Sequence, residues 1–253
     1  MPVSADGRIL LWLGAAGLFL WAVQRALHSH IQGLVLLLTA NENLAALIHF
    51  LLLLPGIVVH ELSHWLAARL LGVRTGPISI GPERKRGKQM RYGSVQIGRA
   101  DPLRESLIGL APLISGTGLV LLIARWAFGL LPMANLALTE WPARLLACLR
   151  IPDAWLWVYL IFAISNAMMP SASDRRPFRI FALYLALVLV AAYILVGVPR
   201  GSEVWLVWGL RLLAYLAYAF TLTGILDLAV LILVLALEWA AGHLTGRHVQ
   251  YRA

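Results

Sequence analysis

Residues 44–71 run LAALIHFLLLLPGIVVHELSHWLAARLL. As a helix this stretch is about 42 Å long, and crossing a bilayer's hydrocarbon core takes about 30 Å. His49 is the single ionisable residue before His60. Then His60, Glu61 and His64 fall within one turn and a half. Polar side chains inside a span are costly and are retained where they have work to do. The stretch therefore predicts a transmembrane helix that carries chemistry near one end.

The rest of the chain fits a membrane setting. Of 253 residues, 60% are hydrophobic and 13% charged, and mean hydropathy is +0.80. A soluble domain of this size needs far more polar surface. The net charge of +9 does not point to nucleic acid, because the basic residues sit beside apolar runs, as in the cytoplasmic loops of membrane proteins. With Cys148 alone, no intrachain disulfide forms. Asp6 and Arg8 make a poor leader, and the apolar run that follows has no clear small-x-small cleavage site, so the first segment reads as a retained span.

The fold class expected is an all-α polytopic membrane protein with about six transmembrane helices, 1–253 forming a single membrane domain. The spans are read at 9–27, 44–71, 107–131, 154–169, 178–198 and a long stretch ending near Ala241. The fourth is short and stops at Pro170, which predicts a helix breaking inside the membrane. Residues 31–40 are too short to span and read as a re-entrant piece. Residues 204–241 are too long for one upright helix. Their first part, with Trp205, Trp208, Arg211 and Tyr215, reads as interfacial and the rest as a span, with two spans as the alternative; the unit 204–253 is thus an interfacial helix, the last span and a tail.

Between spans two and three lie Arg74, Arg84, Lys85, Arg86, Lys88, Arg91, Arg99 and Arg104 against Glu83, Asp101 and Glu105. The positive-inside rule places this loop in the cytosol. Six spans would then put the N-terminus, the 174–179 segment and the 247–252 tail there too. Residues 73–80 and 90–97 are rich in β-formers and flank the polar turn Gly81-Pro82-Glu83-Arg84-Lys85-Arg86-Gly87-Lys88, predicting a membrane-associated β-hairpin.

His60-Glu61-Leu62-Ser63-His64 has the form H-E-x-x-H. Histidines four apart share one helix face, so both imidazoles can bind one metal ion. The glutamate beside the first can take a proton from an attacking water. A hydrolytic zinc site takes a third protein ligand. Asp174 is the candidate: it follows the break at Pro170, and spans two and four both run toward the cytosol, so the two elements arrive at similar depth.

Together these residues resemble the site-2 protease family of intramembrane zinc metalloproteases. Members pair H-E-x-x-H with a later N-x-x-P-x-x-x-x-D-G. Here Asn166 and Asp174 keep the eight-residue separation, while proline sits at 170 rather than 169 and Arg175 replaces the glycine. Ala111-Pro112-Leu113-Ile114-Ser115 is similar to the family's Gly-Pro-x-x-Asn element, with Ala for Gly and Ser for Asn. The resemblance covers about 44–179, the protease core, without the PDZ or CBS domains of larger members. It implies His60, His64 and Asp174 as zinc ligands, Glu61 as catalytic base and Asn166 as a polar partner of the substrate carbonyl. It also implies a membrane-protein substrate helix; an unwound segment needs partners for its backbone groups, and the edge of the strand at 92–97 would supply them.

The expectation is thus a Zn²⁺ endopeptidase in a bacterial inner membrane, its active site toward the cytosol, with lipid and a substrate span as partners. A prenyl-protein protease type would draw its third ligand from a downstream Glu on a helix; the acids after span four, Glu203, Asp227 and Glu238, lie in no ligand motif. A non-catalytic membrane protein that keeps the fold is the other alternative. His28, His30, His243 and His248 read as surface histidines. Asp227 is an acid inside a span without a named partner.

Overall fold

The computed structural model describes residues 3–84, 90–130, 147–148, 150–169, 202–247 and 249. Five helices and a hairpin make up these residues: α1 (Val3–Thr39), α2 (Glu42–Leu70), β1 (Thr75–Arg84), β2 (Met90–Ile97), α3 (Pro102–Trp126), α4 (Ala154–Ala167) and α5 (Ser202–Thr245). Four of the helices, all but α4, are long and apolar enough to cross a membrane. The fifth expected span, at 178–198, lies outside the described residues.

The chain turns from α1 into α2 at Ala40, whose φ is 52°. Asn41 then caps α2, its side chain accepting from the backbone N–H groups of Asn43 and Leu44 at 2.9 and 3.2 Å. Down α2, Leu47, Ile48, Leu51, Val58, Leu62, Leu66 and Leu70 are exposed, while His49, Glu61 and His64 are buried. Leucines face outward and ionisable groups inward, as a helix surrounded by lipid requires.

Two expectations are corrected by helix continuity. Residues 31–40 are not re-entrant. Residues 31–39 continue α1, because no proline interrupts them and Leu27, Ile31 and Leu34 extend the face that packs on Leu231 and Val234 of α5. Likewise residues 204–241 are not two separate spans; they belong to the single 44-residue α5. At 1.5 Å per residue α1 and α5 are about 55 and 66 Å long, so both must tilt or project beyond a 30 Å core.

They do so as a pair. Trp12 Nε1 donates to Thr221 Oγ1 at 3.1 Å, Gln24 reaches Asp227 at 3.0 Å, and His30 meets Glu238 at 2.6 Å. Gly224 lets the Phe19 ring in, since a Cβ there would lie 2.8 Å from it. These contacts advance together along both helices, so α1 and α5 are parallel. α2 runs back against α1. α4 parallels α2, with residue 163 beside Gly56 and residue 167 beside His60. The end of α4 and the start of α5 therefore lie on one side of the bundle, and Thr245 lies on the side opposite Val3. Six alternating spans would have placed both ends of the chain together; the parallel packing of α1 and α5 overturns that.

The hairpin forms as expected but with a longer first strand. β1 and β2 pair antiparallel, Ile78 opposite Val95 and Ile80 opposite Gly93. An irregularity between Ile80 and Glu83 absorbs Gly81 and Pro82 and lets β1 reach Arg84. Both strands pack against α2. α3 begins five residues before the expected span, capped by Asp101, which accepts from Arg104 N at 3.0 Å, with Pro102 at its first position. The end of α2 meets the start of α3 and the end of α4, and the hairpin runs alongside α2.

Candidate metal centre

His60 and His64 stand on one face of α2, and their Nε2 atoms are 3.1 Å apart. What fixes them is on the other side of each ring. His60 Nδ1 lies 2.7 Å from the carbonyl of Ala167, and His64 Nδ1 lies 2.8 Å from the carbonyl of Ile108. A carbonyl only accepts, so each Nδ1 carries a proton, and a ring with no second proton turns its Nε2 lone pair inward. Two lone pairs converging at 3.1 Å are stabilised by a cation between them. Bonds of 2.0–2.1 Å at a tetrahedral angle put two zinc-bound nitrogens about 3.3–3.4 Å apart. The pair fits such an ion, and the carbonyls supply the outer hydrogen bonds that metal-binding histidines ordinarily make.

Both carbonyls are available for reasons written in the sequence. Ile108 lies four residues before Pro112, and proline has no N–H with which to take the helical bond to that carbonyl. Pro112 inside α3 thus releases an acceptor for His64. Ala167 is the last residue of α4, where carbonyls lose their helical donors. α4 ends three residues short of Pro170. It reaches His60 because Gly56 lets it pack tightly on α2: a Cβ at 56 would collide with the Ala163 carbonyl. Ser63 and Ser115 join α2 to α3, their hydroxyls 2.5 Å apart, which gives Ser115 of the Ala-Pro-x-x-Ser element its contact.

Glu61 is 8% exposed and lies under β2. An added Cβ on Gly93 would be 2.6 Å from Glu61 Oε1. Among the described residues no three His, Cys, Asp or Glu side chains are arranged to hold one ion. Asp174, the expected third ligand, lies outside them.

Asn166 is held within the bundle. Its Nδ2 donates to the Phe162 carbonyl at 2.9 Å and to Asp227 Oδ1 at 2.8 Å. Its Oδ1 faces His28 Nε2 at 3.1 Å. Both amide protons are committed within the bundle, so in this arrangement Asn166 has none to offer a substrate carbonyl. His28 is correspondingly no surface histidine. It is part-buried, and its ring lies 5.0 Å from that of His49, whose Nδ1 is 3.2 Å from the Tyr92 hydroxyl. Burial pushes the Tyr92 phenol up from its ordinary value, so it stays protonated at neutral pH. His30 is paired with Glu238, and His243 is exposed, as expected; His248 lies outside the described residues.

The sequence reading missed the cluster formed by Gln24, His28, His49, Asn166 and Asp227. Its signal was present: Gln24 and His28 are four residues apart, on one face of an otherwise apolar helix. Protein-family models, curated proteins and solved structures give no match to this chain.

Proposed function

We propose that the protein is an intramembrane zinc endopeptidase that cleaves a membrane-protein substrate within or near a transmembrane segment. The observation that supports this most is the convergence of the His60 and His64 Nε2 atoms, with both Nδ1 protons given to backbone carbonyls. Glu61 is the next residue and faces the hairpin rather than lipid.

In this reading zinc supplies a Lewis acid that polarises the scissile carbonyl. His60 and His64 hold the ion and Asp174 completes the protein ligands. Glu61 takes the proton of the attacking water and passes it to the leaving amine. A helical peptide bond is shielded by its own hydrogen bonds, so the substrate must unwind first. β2 offers an unwound segment somewhere to place its backbone groups. Asn166 acts by holding the end of α4. The basic hairpin directs the site to the cytosolic face of a bacterial inner membrane.

The prenyl-protein type of site is less well supported, because the downstream acids among the described side chains are held elsewhere: Asp227 by Gln24 and Asn166, Glu238 by His30.

Zinc content and cleavage of a fluorescent transmembrane-helix peptide, measured side by side on purified protein, test the proposal. Wild type should bind zinc and cleave, His60→Ala should lose both, and Glu61→Gln should keep zinc and lose cleavage. A His60→Ala protein with full zinc, or a Glu61→Gln protein cleaving at the wild-type rate, would refute it.

A further inference from the structure

Asp227 is a carboxyl group in the middle of α5 with 0% of its surface exposed. An acid at this position is expensive and calls for a reason. Two neutral amides hold it. Gln24 Nε2 lies 3.0 Å from Oδ2, and Asn166 Nδ2 lies 2.8 Å from Oδ1. Gln24 also donates to the Ser165 carbonyl at 3.1 Å. An aliphatic residue would satisfy simple packing of α1 on α5. The acid instead reaches past α1 to a third helix, and α1 grips that helix one residue away.

The point gripped decides the consequence. Ser165 and Asn166 directly precede Ala167, whose carbonyl receives the Nδ1–H of His60. α4 has 14 residues, and its last carbonyls have no helical donors. The place of the Ala167 carbonyl, and with it the direction of His60 Nε2, depends on what anchors this final turn. Gln24, Asp227 and Asn166 are that anchor.

We propose that Asp227 is a positioning residue of the metal centre, acting through Asn166 and the Ala167 carbonyl to aim His60. This rests on the metal-site reading above. It assigns α1 and α5, which carry none of the H-E-x-x-H residues, a part in the geometry of the ion.

Cobalt(II) titration of the full-length protein in detergent tests it, because the visible band of bound cobalt reports ligand geometry directly. Asp227→Asn keeps size and shape but offers an N–H where one of the two amides needs an acceptor. It should bind cobalt about tenfold more weakly, as outer hydrogen-bond partners of metal ligands do when changed. The band should shift while the thermal midpoint holds. Thr223→Val is the control. Thr223 is equally buried one turn earlier on α5, but among the described residues its hydroxyl bonds only the Ala219 and Phe220 carbonyls of its own helix. It should titrate like wild type.

If Asp227→Asn does not fold, Gln24→Met, which removes the grip on Ser165, decides the question with the same expected shift. Wild-type affinity and band in the variant overturn the positioning role, as does an equal change in Thr223→Val. A wild-type protein showing no cobalt band that depends on His60 overturns the metal site itself. The two failures are thus distinct.

Discussion

Gly93 of β2 stands over Glu61 of α2 so closely that a Cβ would meet the carboxylate oxygen at 2.6 Å and its Cγ at 2.7 Å. The strand and the proposed base share one small space, and glycine is what allows it. Gly93→Ala should push the buried Glu61 side chain aside, at a stability cost of about 1–3 kcal/mol. Misplacing a proton acceptor by an ångström costs on the order of a hundredfold in rate. The expected result is wild-type zinc, a modestly lowered melting temperature and a loss of cleavage of that order. Gly81→Ala, where nothing lies within 4 Å, is the comparison. Normal cleavage by Gly93→Ala would show that Glu61 has room to move without consequence.

Pro112 yields a prediction in which stability and metal binding part company. An interior proline costs a helix about 3 kcal/mol. Here it frees the Ile108 carbonyl for His64. Pro112→Ala restores an N–H that competes for that carbonyl. The melting temperature should hold or rise, while zinc affinity falls by about tenfold. Chelator competition beside calorimetry reads both. Unchanged affinity would mean that His64 needs no such anchor.

How much of this was legible beforehand follows from range. The H-E-x-x-H pair and the hairpin are local patterns, set by helical spacing and by alternating β-formers, and both stand where the sequence placed them. The end of α4 just short of Pro170 was legible for the same reason. What was not legible lies between distant helices. Residues 31–40 looked like a separate short piece because span length was judged alone, whereas the face formed by Leu27, Ile31 and Leu34 finds its partner some 200 residues later in α5. His28 looked isolated because its neighbours Asn166 and His49 come from two other helices. Pro112 was noticed as part of a motif, but its effect on Ile108 appears only once α2 and α3 are seen side by side.

The parallel packing of α1 and α5 gives a test of sidedness. The junction from α2 into β1 lies at the Val3 end of the bundle and Arg247 at the opposite end. In a Cys148→Ser background, a cysteine at Arg74, just beyond α2 and exposed, should react with an impermeant reagent only after the membrane is opened, if the basic hairpin is cytosolic. A cysteine at Arg247 should react in intact cells. Protection of both positions in intact cells would contradict the parallel arrangement, and the reverse pattern would keep it while inverting the protein in the membrane.

Asp174 is the remaining ligand to be tested, and two carboxylates compete for the place. Zinc held by two histidines needs at least one more protein ligand, preferably an anion where the dielectric is low. Glu61 is the carboxylate on the motif helix, but it lies against Gly93 and is proposed to move protons. Asp174 is seven residues beyond Ala167, which the His60 ring already touches. A chain of that length spans up to about 23–25 Å, so the distance forbids nothing. If Asp174 is the ligand, Asp174→Ala should weaken zinc binding by more than the roughly 10–100-fold typical of outer partners, and Glu61→Gln should leave it within a few-fold of wild type. Asn166→Ala should fall between them, because it loosens the end of α4 without removing a ligand. The opposite order, with zinc retained in Asp174→Ala and lost in Glu61→Gln, would make Glu61 a ligand and leave the water without the proposed base.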